Sequence, residues 1–511
     1  MRKTGFTLVE LIAIITVLGI ISLITVPTVN KVINDSKKKA FGVTVNELKK
    51  SVVTNCKLEK LDKIKITNLY TIVEGKLDKD LDLGGDLPDH GYILVKNNCE
   101  VAYSFYDEKY VASKNFDENK PLVTDNDNAL AYGLEWRSNI ATLDDTYTRT
   151  LDASSIGDGE VNVQIGNTPV TNAFDKFDIY KDILPYTDEL GNKFMLIPKF
   201  YIKKTKEKIG NEIVWNYAVS KLKLDEDYYL PSNFVDEGVN NNEHIELPYV
   251  LVGKYEASSK QLPGSDKVLG SMSGKTPTVI LSIDQMRTLI NNNNKNGITG
   301  YQQYDIYVHD LLSVLFYIEF KTVNSQSIMK GHSNYGSLQE PTIMNTGGSD
   351  SVISSSGAPN DGISVFHYRG MENLWGNVWS YIDGITTQLL SKKVYYILNS
   401  RYYKLTPPNN YYKVINNFQF PSKAGYVSES FFNEDFPFYN ETINTDGNYN
   451  NNNGDYYFVN TETNDYTILI AGGSWYNESN QIGLNTIYSN WGKQAGTIST
   501  GTRVVKTAMR N

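Results

Sequence analysis

The feature that most constrains this chain is its first segment, Met1–Val29. A short basic leader precedes Gly5, and an apolar run then extends from Phe6 to Val26 with one acid, Glu10, near its start. Because about 20 apolar helical residues match the hydrocarbon core of a bilayer, the run predicts a membrane-spanning helix. A secretory signal carries its small-residue cleavage site after the apolar core. Here the glycine comes first, so cleavage after it would leave the hydrophobic segment on the mature protein.

Glu10 is the unusual residue of this segment. A carboxylate inside an apolar helix costs about 2.5–3.5 kcal/mol at the membrane centre and less near the end of the segment, so it requires a partner. Cleavage after Gly5 would free the amino group of Phe6, close to Glu10 in sequence. Helix geometry makes pairing within one chain awkward, so we expect Glu10 to meet the Phe6 amine of a neighbouring subunit. The alternative is an ordinary membrane anchor with an unpaired acid.

The residues around the predicted cleavage point resemble a known family. Gly5–Ile12 reads GFTLVELI and is similar to the cleavage and methylation site of type IV prepilins, and Gly19 and Pro27 stand where that family usually places them. The resemblance covers the helix to about Cys56. It implies cleavage by a prepilin peptidase, N-methylation of Phe6 and membrane insertion before assembly. It further implies docking on other pilins through Phe6 and Glu10, and a final location outside the cell in the pilus.

Charge and cysteine content narrow the function classes. The net charge of −9 and the pI near 5.3 argue against a nucleic-acid-binding surface, whose footprint is basic. The two cysteines are Cys56 and Cys99. In an exported domain we expect them to form one disulfide, which would stabilise the fold by about 4 kcal/mol in the chain-entropy model. Two buried thiols are the alternative.

The chain after the leader at residues 1–5 predicts an α+β fold. Residues 6–27 form the membrane or filament-core helix, which continues to about Cys56 and is followed by a meander of short antiparallel strands. Together, residues 6–125 form a small pilin-like domain, and the acidic segment Asp117–Asn128 marks its end. The continuing helix carries a loose apolar stripe that consists of Val29, Val32, Ile33, Ala40, Val43, Leu48 and Val52.

The remaining sequence predicts a second, larger unit. Residues 126–183 are either a linker or the entry strands of the next domain, and residues 184–511 form a large loop-rich domain. Within that domain we expect a strand over Phe194–Ile202, a helix over Ser282–Asn291 whose first residue is the N-cap, and a helix over His309–Phe320.

Three short motifs in residues 184–511 combine tryptophan, glycine and arginine: Asn373–Trp379, Gly472–Trp475 and Gly501–Arg503. Glycine permits tight turns and close backbone approach, and tryptophan fills a core. These motifs resemble the C-type-lectin-like fold as used in formylglycine-generating enzymes and in phage receptor-binding proteins. Taken individually, we interpret the residues as core and turn positions that report the fold. They are Trp375, Gly376, Trp379, Gly472, Gly473, Trp475 and Arg503.

The resemblance to formylglycine-generating enzymes does not extend to their catalytic residues. Those enzymes hold copper with a pair of cysteines, and this sequence has no cysteine after Cys99. The histidines lack metal-ligand spacing, and no nucleophile elbow or phosphate-binding loop stands out. We therefore predict no enzymatic activity, no catalytic residues and no transition-metal site.

Calcium is the one cofactor that the sequence leaves open. Asp446–Asn450 and Asn452–Asp455 offer oxygen ligands on a loop. Their spacing lacks the terminal Glu of an EF-hand loop, and Glu340–Thr342 resembles a sugar-specificity tripeptide only loosely. A solvated, low-complexity loop without cofactor is the favoured interpretation.

The C-terminal part of the chain is rich in tyrosine set among Asn, Ser and Gly, the chemistry of adaptable binding surfaces. We therefore predict a minor pilin at the tip or sparsely incorporated, whose lectin-like domain binds a glycan or protein receptor. The alternatives are an assembly-initiating minor pilin or pseudopilin with a purely structural C-terminal domain and, less favoured, a surface enzyme. The candidate ligand face consists of Tyr402, Tyr403, Tyr411, Tyr412, Tyr449 and Tyr476.

Overall fold

A computed structural model describes most of the chain. The described residues are 7–81, 86–119, 121–126, 128–139, 145–262, 267–333, 342–360, 365–403, 410–421, 423–430, 440–444, 455–459 and 465–508. Gly5, Phe6 and Tyr449 lie outside them, as do residues 446–450 and 452–454 of the loop considered for calcium.

The chain begins with one long helix, α1, over Leu8–Leu61, 54 residues in length. Thr7 is its N-cap: the Thr7 hydroxyl accepts from the Glu10 amide, and the Glu10 carboxylate accepts from the Thr7 amide. This reciprocal pair is a capping box, which satisfies backbone donors that a helix start leaves unpaired. The helix continues through Pro27 and ends before its cap residue, Asp62. The predicted long N-terminal helix is therefore confirmed.

Only the second half of α1 contributes to the hydrophobic core. Its buried face consists of Phe41, Val45, Leu48, Val52 and Cys56, spaced three or four residues apart. The predicted stripe is correct at Leu48 and Val52 and wrong before them, because those side chains point to solvent. The exposed members are Val29, Val32, Ile33, Ala40 and Val43.

Six antiparallel strands follow α1, and together with the second half of α1 they form the unit that we call the head, Phe41–Asp125. Their order in the sheet is β2-β1-β3-β4-β5-β6, which confirms the predicted meander. The strands are β1 Leu69–Val73, β2 Lys76–Leu77, β3 His90–Val95, β4 Val101–Asp107, β5 Tyr110–Lys114 and β6 Leu122–Asp125.

We call residues 131–508 the distal unit, and their described part contains two α-helices, several short 3-10 helices and the remaining strands. The helices are α2 Ile283–Asn291 and α3 Ile306–Phe320. The strands are β7 Ala131–Asn139, β8 Asp145–Leu151, β9 Gln164–Ile165, β10 Leu184–Thr187, β11 Lys193–Pro198, β12 Tyr201–Ile209, β13 Glu212–Ser220, β14 Val235–Asp236, β15 Ile245–Glu246, β16 Tyr249–Gln261, β17 Lys267–Ser271, β18 Tyr301–Gln303, β19 Gly357–Ala358, β20 His367–Tyr368, β21 Met371–Glu372, β22 Trp379–Gln388, β23 Lys393–Tyr396, β24 Lys413–Asn416, β25 Gly425–Ser430, β26 Asn440–Asn444, β27 Tyr456–Phe458, β28 Thr467–Gly472, β29 Gly483–Gly492, β30 Thr500–Gly501 and β31 Arg503–Thr507.

Long-range pairings hold the distal unit together. Strand β7 pairs with β13 along its whole length, and β8 extends the same sheet in the order β12-β13-β7-β8. The last strand, β31, lies between β16 and β18. A larger sheet has the order β24-β23-β22-β28-β29-β27-β25-β26, with β30 paired to β22. A long N-terminal helix followed by this β-rich region is an α+β architecture, as predicted.

Two helices and a strand test the finer predictions. Helix α2 starts where expected, since the Ser282 hydroxyl accepts from the Gln285 amide in a second capping box. Helix α3 begins earlier than predicted, because Asp305 caps it through the amides of Tyr307 and Val308. The prediction of a single strand over Phe194–Ile202 is wrong, because β11 ends at Pro198 and a separate strand, β12, begins at Tyr201.

The head sheet is buried on both faces. Tyr70, Ile93 and Phe105 pack against α1. On the opposite face, Tyr92 and Leu94 join a cluster with residues of β11 and β16 in the distal unit. Antiparallel sheets commonly expose one face to water, so the distal unit takes the place that solvent would occupy.

Candidate functional site

The first half of α1 is an apolar surface without a covering layer. Every described side chain of residues 8–33 is exposed, including Leu18 at 56% and Leu23 at 77%. The most apolar stretch of the helix has a mean hydropathy of 2.6, and none of it is buried. By length and composition, this helix is able to cross a membrane. Contiguous apolar patches of this size mark a membrane or protein interaction surface.

The carboxylate of Glu10 lies at the N-terminal end of this surface. Its Oε2 atom accepts from the Thr7 amide at 2.9 Å and from the Thr7 hydroxyl at 2.8 Å. These bonds give the acid a local partner without neutralising its charge. Gly5 and Phe6 lie outside the described residues, so cleavage, methylation and pairing with Phe6 stay predictions.

The second half of α1 is fixed to the head sheet by more than apolar contact. Cys56 and Cys99 form a disulfide with a Cα–Cα distance of 5.8 Å, across 43 residues of sequence. Lys38 also pairs with Asp125 at the end of β6, at 3.0 Å. The helix is therefore connected to the sheet at several points along its second half.

Direct hydrogen bonds join the head to the distal unit. The hydroxyls of Thr71 and Tyr249 are 2.9 Å apart and buried, and the Tyr106 hydroxyl donates to the Lys199 carbonyl at 3.0 Å. Asn68 donates to the Thr187 carbonyl at 2.9 Å. Together with the shared apolar cluster, these bonds hold the two units in one orientation.

The fold-signature residues come from distant segments and meet in the interior. The Gly376 amide donates to the Gly472 carbonyl at 3.0 Å, and the Trp475 amide donates to the Asn377 carbonyl at 2.9 Å. Gly376 has φ +78°, and a Cβ there would lie 2.6 Å from the backbone nitrogen of His332. The glycine is therefore needed for both the left-handed conformation and the close approach.

The tryptophans of these motifs pack into the core. Trp375 and Trp475 are 1% and 0% exposed, and the Trp375 indole donates to the Met329 carbonyl at 3.0 Å. Trp379 lies in the apolar cluster that Tyr92 and Leu94 of the head share with the distal unit, and it packs against Phe458. Gly473 has φ +75° beside Ile482. In the described residues these positions make structural contacts.

Arg503 and Glu256 form a polar centre next to the motifs. The Arg503 guanidinium donates to the carbonyls of Gly253 at 2.7 Å and Asn373 at 3.1 Å. Glu256, its partner across the β16–β31 pairing, accepts from the side-chain amides of Asn373 and Asn377 at 3.1 and 2.6 Å. Burial raises the pKa of Glu256 from 4.5 to about 8. Sequence reasoning missed this acid because no local motif marks it.

The tyrosines of the candidate ligand face differ in exposure. Tyr402 and Tyr411 are half-buried, and their rings stack with centroids 3.8 Å apart. Tyr412 is half-buried and Tyr476 is 38% exposed. The prediction that Tyr403 belongs to this face is wrong, because Tyr403 is 6% exposed and its hydroxyl donates to the Asp305 carboxylate at 3.0 Å.

Three histidines of the distal unit, His309, His332 and His367, serve as interior hydrogen-bond partners, whereas His244 is exposed. His309 lies between the Tyr304 hydroxyl at 3.2 Å and the Asn485 side-chain oxygen at 3.1 Å, and burial lowers its pKa to about 4. Burial also lowers the pKa of His367 to about 4. Among the described residues, no group of three or more His, Cys, Asp or Glu is arranged to hold a metal ion.

A cleft of about 680 Å³ separates one edge of the head from the distal unit. Its head side is formed by residues 65–69, β1 and β2, and its distal side by β10, residues 297–299 and the end of β31. Sequence reasoning did not find it, because its two sides are more than a hundred residues apart in the chain.

No model of a known protein family matches the chain, and no curated protein sequence matches it either.

Proposed function

We propose that the chain is a minor pilin of a type IV pilus. The supporting features are the GFTLVELI sequence at Gly5–Ile12, an apolar helix that passes without a break into a head, and a head sheet packed on that helix. The observation that carries the proposal is the exposed apolar surface over residues 8–33, because a surface of this kind requires a bilayer or a bundle of like helices.

The distal unit is proposed as the displayed cargo, with a C-type-lectin-like fold. Its support is the convergence of the Trp375 and Trp475 motifs with Arg503 in one interior region. We propose that it recognises a receptor through half-buried surface tyrosines such as Tyr402 and Tyr411 and catalyses no reaction. A unit of this size at every subunit would crowd a filament, so we place the protein at the tip or at sparse positions.

The test uses Glu10, which carries a charge and also completes the capping box. Substitutions separate these two roles. Glu10→Gln keeps a side chain able to complete the capping box but removes the charge, whereas Thr7→Val removes the cap and keeps the charge. In a host that assembles type IV pili, we expect Glu10→Gln to enter the membrane normally and to be several-fold depleted from sheared pili. Thr7→Val serves as the matched control and should be incorporated nearly normally.

Mass spectrometry of the N-terminal peptide supplies the second readout. The proposal expects a mature chain that begins at Phe6 with one added methyl group, and a Gly5→Val variant that keeps its leader. A full-length, unmethylated N-terminus together with normal Glu10→Gln incorporation would contradict the assignment as a pilin.

One observation favours the alternative of a structural distal unit. The unit covers one face of the head sheet, including Tyr92 and Leu94, so its deletion would expose an apolar surface. Truncation before residue 131 therefore does not isolate adhesion. The double substitution Tyr402→Ser with Tyr411→Ser tests adhesion separately, since both rings are half-buried at the surface. Pili that form normally but attach less favour display, and unchanged attachment favours an assembly role.

A further inference from the structure

The cleft between the head and the distal unit has an unusual charge for this protein. Four lysines and two carboxylates line it, although the chain as a whole carries a net charge of −9. The lysines are Lys65, Lys76, Lys79 and Lys506, and the carboxylates are Asp78 and Glu189. A locally basic cleft on an acidic protein attracts anions to this position.

The structure identifies which of these charges are available to a ligand. Lys506 pairs with Glu189 at 3.0 Å, and Lys79 donates to the Leu69 carbonyl. Lys65 and Lys76 are exposed, and neither makes an ion pair within the described residues. Two ammonium groups on the head side of the cleft are therefore free to bind an anion.

The rest of the lining is suited to a polar, ring-shaped ligand. Tyr186 and Thr299 line the same space, together with Thr67, Asn68 and Tyr249, whose side-chain polar groups also bond to Glu59, Thr187 and Thr71. Aromatic rings accept the C–H faces of sugars, and amides and hydroxyls pair with sugar hydroxyls. The volume of about 680 Å³ falls within the range of about 300–1,000 Å³ that is typical of ligand sites.

We propose that this cleft binds an acidic saccharide, whose carboxylate or sulfate group is held by Lys65 and Lys76. An extended acidic peptide fits less well, because strand addition needs a long free edge and β2, at the sheet edge beside the cleft, has two residues. The site is preformed, since Thr71–Tyr249 and Asn68–Thr187 contacts fix its two sides.

This inference goes beyond the proposed function and does not depend on it. The site lies between the head and the distal unit rather than on the tyrosine face, and it does not require assembly into a filament. Purified full-length protein in detergent micelles is therefore sufficient for the test, and failure of the pilin assignment would leave the result unaffected.

The experiment measures binding of sialyllactose and a chondroitin sulfate tetrasaccharide by calorimetry, with lactose and maltotetraose as neutral controls. We expect an acidic probe to bind and the neutral probes not to. Lys65→Gln with Lys76→Gln should weaken binding about tenfold, since two partly exposed ion pairs contribute roughly that factor together. Added salt should weaken binding by the wild-type protein, because exposed charges are screened.

A matched variant and a footprint localise the effect. Lys193→Gln with Lys208→Gln removes two exposed lysines from the distal unit outside the cleft and should leave binding unchanged. The bound probe should protect Lys65 and Lys76, but not Lys193 and Lys208, from amine acetylation. Absence of acidic-probe binding, equal binding of the neutral probes, or equal loss in both double variants would overturn the proposal.

Discussion

Two apolar helices of this chain have opposite environments. Every residue of α3 is buried, and its polar side chains find partners inside the fold, as Asp310 does with Lys204 and Ser313 with the His309 carbonyl. The first half of α1 is also apolar, yet its described side chains over residues 8–33 are exposed. The comparison shows that apolar composition alone does not make a core. α3 is covered by its own chain, whereas the described side chains of residues 8–33 in α1 are not.

The largest expected difference in the free energy of unfolding is between substitution of Glu319 in α3 and substitution of Glu10 in α1. Glu319 of α3 is 0% exposed and accepts two bonds from the Arg369 guanidinium, at 3.0 and 2.6 Å. Glu319→Ala would leave Arg369 buried with only Asp175 as ionic partner, at 2.7 Å. Removing one member of a buried pair costs about 3–5 kcal/mol. We expect that loss in the free energy of unfolding, measured by urea titration in detergent.

Tryptophan fluorescence is a suitable signal for this measurement, because all six tryptophans belong to the distal unit. Glu10→Ala is the matched variant and should leave the transition unchanged, since among the described residues the Glu10 carboxylate bonds to Thr7 at the helix start, far from the distal unit. Glu226→Ala, at an acid with a 97% exposed side chain, controls for charge removal at the surface. A Glu319→Ala loss no larger than that of Glu226→Ala would contradict the account of α3.

The second comparison uses one substitution in both helices. Leu312 of α3 is 0% exposed and Leu18 of α1 is 56% exposed. Leu312→Ala should cost about 2–5 kcal/mol of unfolding free energy, through lost burial and a cavity. Leu18→Ala should leave the same transition unchanged and instead weaken partition into lipid vesicles. Equal effects of the two substitutions on unfolding would show that α1 packs against the distal unit.

Sequence reasoning succeeded where structure is set by neighbouring residues. The length of α1, the Ser282 cap and the meander of the head all follow from local patterns. It failed where contacts between segments distant in sequence determine the structure. The pairing of β7 with β13 and the position of β31 between β16 and β18 depend on contacts across many residues of sequence.

The candidate sites follow the same rule. Tyr403 looked like its neighbour Tyr402, but one faces Asp305 in the interior and the other lies at the surface. The cleft that contains Lys65 and Lys76 exists only because the head packs on the distal unit. A pattern of residue types predicts a helix and its apolar N-terminal segment. It does not predict which side chains become buried by tertiary contacts.

The smallest expected effect concerns Glu256, an acid that, unlike Glu10, lies in the interior. Folding raises the pKa of Glu256 from 4.5 to about 8, chiefly because burial disfavours the ionised form, while the neighbouring Arg503 opposes this shift. The protonated acid is therefore favoured in the folded state. Its contribution is fully present below pH 4.5 and is lost as the pH rises toward about 8. Between about pH 6 and about pH 8, the free energy of unfolding should fall by about 2 kcal/mol.

Glu256→Gln separates this effect from all other titrations. The Gln carbonyl keeps an acceptor for Asn373 and Asn377 and stays neutral at every pH. We expect the variant to lose most of the fall in stability, and to be more stable than the wild type at about pH 8 and similar to it at about pH 5. Glu10→Gln makes the same chemical change on the exposed helix and should leave the pH profile of distal unfolding unaltered. If Glu256→Gln keeps the wild-type profile, the acid is already ionised in the folded protein, and the contrast with Glu10 then lies in packing alone.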